Sequence, residues 1–134
     1  MLAAFPLLTL VVVLYNLAVL LSGGPPDGVA LVVDMVSGAS LLLTWGELVQ
    51  ILGLVLLYVE MVKATRTAAS SIADHLLSTL LFVICLLELV SLPAFATGTF
   101  LLLTLMTLFD LVAGFTVTIT AARRDIAVGD RELP

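Results

Sequence analysis

The stretch ATGTFLLLTLMTLFDLVAGFTVTITAA, residues 96–122, holds one ionisable side chain, Asp110, in an otherwise uncharged and mostly apolar run. A bilayer core about 30 Å thick is crossed by about 20 such residues in a helix, which rises 1.5 Å per residue. The apolar positions run all round the helix, so this is not the one-sided stripe of a helix lying on a soluble core. Nor does it show the short alternating segments of a membrane β-barrel.

Three further runs have the same character: about residues 2–21, 41–62 and 72–92. The breaks between them suit turns and loops. Ser22-Gly23-Gly24-Pro25-Pro26-Asp27-Gly28 is a strong breaker, residues 63–71 are small and polar, and Pro93 favours a helix start or kink. The first run lacks the basic n-region of a signal peptide and is expected to be a retained transmembrane helix. Residues 29–36 are apolar but too short to cross. They are expected to form a short interfacial helix, with an extension of the second span as the alternative. Charges return after Ala122, so 123–134 is expected to be a solvated tail. No internal repeat is visible. The expectation is one domain, residues 1–134: all-α, an integral-membrane four-helix transmembrane bundle.

Composition agrees. The chain is 62% hydrophobic and 11% charged, with a mean hydropathy of +1.29, whereas a soluble domain carries about a quarter charged residues. The net charge of -5 is a poor guide, because several carboxyls lie inside apolar runs. Five Lys and Arg are too few and too scattered for a nucleic-acid footprint. One cysteine, Cys85, excludes an intramolecular disulfide and a Cys-based zinc knuckle. With four spans, Lys63, Arg66, Arg123, Arg124 and Arg131 all fall on one side, which short-loop charge bias assigns to the cytoplasm together with both termini.

Ionisable residues inside a span are expensive and face other helices or water. Asp110 lies near the middle of span four, with Glu47 and Glu88 in the outer parts of spans two and three. At 100° per residue, Glu47, Gln50, Leu54 and Tyr58 share a face of span two. Asp74, Ser78, Leu81, Cys85 and Glu88 share one of span three, and Thr99, Thr107, Asp110, Gly114 and Thr118 one of span four. Span one offers Thr9, Tyr15 and Asn16. Small and polar stripes mark helix contacts in membranes, so a shared polar interior is expected.

Two readings of Glu47, Glu88 and Asp110 follow. In one they form an outward-facing acidic vestibule that binds a cation or relays protons, with Thr, Gln and carbonyl oxygens as additional ligands. In the other each is carried as a neutral acid bonded to a neighbouring helix. No basic residue is expected at their depth. Glu60 and Lys63 read as a surface ion pair, Asp74 as a helix-start acid beside His75, and Cys85 as inert packing. Trp45 and Tyr58 suit interfacial or inter-helix positions. No phosphate loop, nucleophile elbow, zinc-protease motif or paired histidine is present, so no catalytic residue, cofactor or metal site is expected.

Glu47-Leu48-Val49, followed by Tyr58-x-Glu60, a small basic loop and a third span, resembles the PsiE-like family of small four-span bacterial membrane proteins. The resemblance implies a multi-pass protein of the bacterial inner membrane with no assigned chemistry, and it carries over no functional residue. The leading expectation is a non-enzymatic role as an oligomeric or accessory subunit, whose partners are the lipid bilayer and a second copy or another membrane subunit. The rival is a small cation or proton channel or transporter.

Overall fold

A computed structural model describes residues 6–66 and 72–129. It is mostly helical, with four α-helices in chain order: α1 (Leu8–Ser22), α2 (Trp45–Arg66), α3 (Ile72–Ser91) and α4 (Gly98–Gly129). Two strands, β1 (Val29–Asp34) and β2 (Ser40–Thr44), stand between α1 and α2, and a 3-10 turn at Pro93–Phe95 joins α3 to α4.

The helices alternate in direction. The start of α1 meets the late part of α2 at Glu60, Ser78 near the start of α3 meets Asp110 of α4, and Gly46 at the start of α2 meets Thr99 at the start of α4. Helix α4 is the hub, packing on α3, α2 and α1. The core runs through Leu8, Val11, Val12 and Tyr15 of α1, Val49 and Leu57 of α2, Leu81 and Cys85 of α3, and Phe100 and Leu103 of α4. Close approach of α2 to α4 depends on Gly53. A Cβ there would lie 3.1 Å from both the Leu103 Cδ2 and the Met106 Sδ.

Residues 29–36 are not an interfacial helix. Val29–Asp34 pairs antiparallel with Ser40–Thr44, Val32 opposite Leu42 and Asp34 opposite Ser40, with a register shift between Val29 and Leu31. Two runs rich in β-branched and Leu residues flank Met35-Val36-Ser37-Gly38-Ala39, a five-residue connection containing glycine, which is the pattern of a hairpin. Gly38 takes φ +83, a conformation that suits glycine. The Met35 N–H donates to the Ala39 carbonyl at 2.8 Å, and the Ser40 hydroxyl to Asp34 at 2.7 Å. Both faces of the hairpin stay exposed, from Val29 and Val32 to Leu42.

The hairpin also shortens span two, since residues 41–44 belong to β2 and the helix begins at Trp45. α1 ends in a left-handed Gly23, φ 74, whose N–H returns to the Val19 carbonyl, the usual helix stop. α2 and α4 contain segments long and apolar enough to cross a membrane, Trp45–Ala64 and Gly98–Thr120; the described apolar parts of α1 and α3 are shorter.

Candidate functional site

The three acidic residues expected to share a vestibule are held by three different sets of partners. Glu47 is exposed at the start of α2. Its carboxylate accepts the Thr44 N–H at 2.7 Å and the Thr44 hydroxyl at 3.0 Å, and its own N–H donates to the Thr44 Oγ1 at 3.2 Å. Thr44-Trp45-Gly46-Glu47 is thus a reciprocal capping box. That spacing was legible in the sequence, and it accounts for Glu47 without any ligand. The stripe through Glu47, Leu54 and Tyr58 is the outer face of α2, with Leu54 at 59% and Tyr58 at 69% exposure. The inner face carries Val49, Gly53, Leu57 and Glu60.

Glu88 is half-buried on α3, and the Asn16 amide of α1 donates to its Oε2 at 3.2 Å. The second Asn16 N–H goes to the Val12 carbonyl at 3.1 Å. Beside it, the Tyr15 hydroxyl is 2.8 Å from the Thr97 Oγ1, which also accepts the Phe100 N–H at 3.1 Å and so caps α4. Tyr15, Phe95 and Phe100 stack at centroid distances of 4.9 to 5.9 Å, as aromatic rings favour.

Asp110 lies at the opposite half of the bundle. It is 8% exposed and accepts the Ser78 hydroxyl at 3.0 Å. Lys63 and His75 are within its electrostatic reach, as is Glu60. The His75 ring stacks on Phe115 at 4.7 Å, and its Nε2 is 2.8 Å from the Thr118 Oγ1. Gly114 makes room for that ring, since a Cβ there would lie 3.3 Å from it. The faces of α3 and α4 that carry Ser78, Cys85, Thr107, Asp110 and Thr118 do turn inward. The Asp74 side chain lies outside the described residues.

Glu60 is the residue the sequence reading misjudged most. Beyond the Lys63 charge it senses, it holds the start of α1: its Oε2 accepts the Leu7 N–H at 2.7 Å and the Leu8 N–H at 3.4 Å. The first amides of a helix need acceptors, and α1 has no side-chain cap of its own. A carboxylate from α2 serves instead. The available signal was the lack of any Ser, Thr, Asp or Asn ahead of α1. Among the described residues, no three His, Cys, Asp or Glu come together to hold a metal ion.

No protein-family model, curated protein or solved structure matches the chain.

Proposed function

We propose that the chain is a four-span protein of a bacterial inner membrane, with a non-enzymatic role as an oligomeric or accessory subunit. The observation that carries this reading is where the polar groups sit. Inside, Tyr15, Asn16, Glu60, His75, Ser78 and Asp110 are each bonded to a neighbouring helix, which fixes the bundle. Outside, the helices show apolar side chains, with only 22% of the apolar window of α2 and 28% of that of α4 buried. The core helix of a soluble protein would be mostly covered, and an exposed apolar surface of this extent needs lipid or partners. The basic residues at the ends of spans two and four argue for cytoplasmic termini.

A tagged full-length chain is expected to stay in the membrane pellet through alkaline carbonate, and to give cross-linked species with itself or a partner in native membranes. Release into the supernatant would end the membrane reading. Monomer alone would end the subunit reading.

One observation favours a second reading, a proton or cation path: Glu60 and Asp110 sense each other's charge across α2 and α4, with Lys63 and His75 close by. It predicts a proton or cation flux in liposomes that Asp110→Asn abolishes and Glu47→Gln leaves intact. The subunit reading predicts no flux from either wild type or variant.

A further inference from the structure

Helices α1 and α3 barely touch, and the seam between them is an open groove of about 480 Å³. Its walls are apolar, with Val12 and Val13 of α1 facing Leu81 and Ile84 of α3 below a polar pair, Asn16 and Glu88, and with Leu17 and Leu20 beyond that pair. Below Asn16 the α1 wall runs back to Thr9, about 10 Å at the helical rise. That covers about two thirds of one leaflet of a core about 30 Å thick. Glu88 lies three residues before the last residue of α3, Ser91, about 4.5 Å from the helix end. In the membrane reading, on which this inference rests, its carboxyl therefore sits at headgroup depth with apolar walls below it.

The polar end is built from acceptors. Both Asn16 amide hydrogens are committed, one to the Val12 carbonyl and one to Glu88, so the Asn16 Oδ1 faces away from them. The Glu88 Oε1 takes no hydrogen bond among the described residues, its Oε2 being the atom that receives Asn16. A carboxyl beside lipid is costly unless it meets a donor. A second copy cannot supply a cation here. Lys63, Arg66 and Arg123 stand toward the other ends of α2 and α4, and in the sequence no Lys or Arg belongs to the 23–44 or 92–97 connection. A two-fold partner docked on this seam would also bring a second Glu88 to the same depth.

We propose that the groove between α1 and α3 binds a phospholipid with a primary-amine headgroup, its ammonium on Glu88 and Asn16 and an acyl chain lying between Val12, Val13, Leu81 and Ile84. A primary ammonium offers three N–H donors to two free acceptor oxygens. A choline headgroup has none to offer, and a glycerol headgroup has no positive charge.

The test is native mass spectrometry of the full-length chain released from detergent after titration with dioleoyl phosphatidylethanolamine, phosphatidylcholine or phosphatidylglycerol. The ethanolamine lipid is expected to be retained about tenfold more than either other lipid, the scale of one charge-assisted hydrogen bond. Glu88→Gln should remove that preference. Ile84→Trp, which fills the groove and leaves Glu88 in place, should lower retention of the ethanolamine lipid. Equal retention of the three lipids by wild type, or an unchanged preference in Glu88→Gln, would overturn the proposal. So would cross-linking through cysteines placed at Leu20 and Leu81 that showed a second copy in the seam. A chain that resists carbonate extraction yet shows no preference sinks the lipid site alone, whereas a chain released by carbonate sinks the membrane reading as well.

Discussion

Gly53→Ile is expected to force α2 away from α4 and to destabilise the bundle by about 3 kcal/mol, the upper part of the usual range for overpacking a well-packed site. The cause is local. A Cβ at residue 53 meets the Leu103 Cδ2 and the Met106 Sδ at 3.1 Å, with the Val11 Cγ1 at 3.7 Å. Three helices converge on that point, so the side chains that would have to yield are themselves enclosed: Val11 is 0% and Leu103 1% exposed. Isoleucine adds a branched side chain where even one methyl group is tight. Small residues at helix contacts are what let membrane helices approach closely. Reversible unfolding in mixed micelles, followed by circular dichroism, measures the loss. Gly53→Ala should fall between wild type and isoleucine. Gly98→Ala is the control, since nothing lies within 4 Å of a Cβ there. Equal stability of Gly53→Ile and wild type would show that α2 and α4 do not pack through residue 53.

The second large effect is expected at Glu60. Glu60→Leu removes the acceptor for the first amides of α1 and should cost about 2 to 4 kcal/mol, since each buried donor left unpaired costs about 1–3 kcal/mol. Glu60→Gln keeps an oxygen in place and should cost about 1 kcal/mol, the difference between a charged and a neutral acceptor. Hydrogen exchange separates this role from a general packing defect. Protection should fall first at Leu7 and Leu8, with the α3–α4 pair unaffected. Uniform loss across all four helices would count against a cap shared between α1 and α2.

These two sites also show what could be read in advance. Four helices were legible, because apolar runs such as 96–122 report their secondary structure through length and all-round hydrophobicity, whatever their neighbours. Which side of each helix turns inward was harder. On α3 and α4 the polar and small residues coincide with the packed face, and Ser78, Cys85, Thr107 and Asp110 were placed correctly. On α2 the polar stripe points outward, because Glu47 serves its own helix start and Tyr58 is exposed. The packed face is marked by a glycine, Gly53, whose meaning depends on a partner helix fifty residues away. The hairpin was missed for another reason. Its apolar residues were weighed by length against a bilayer, while the β-branched content of 29–33 and the glycine in 35–39 were not weighed as a strand and turn. The three vestibule candidates take separate partners. Glu88 and Asp110 bond to different helices at opposite halves of the bundle, a distinction that spacing within single spans does not carry.

Tyr15 is tied to Thr97 and Phe100, Asn16 to Glu88, and the first amides of α1 to Glu60. Helix α1 therefore depends on partners synthesised some 50 to 80 residues later. During translation, which proceeds at roughly 5–20 residues per second, it must wait several seconds for them. While it waits, α1 and α2 can form only a loosely held pair, and the arrival of α4 closes the structure. A ribosome stalled before residue 97 should therefore hold a chain that a protease outside the membrane, or a quality-control factor within it, can still tell from the finished protein.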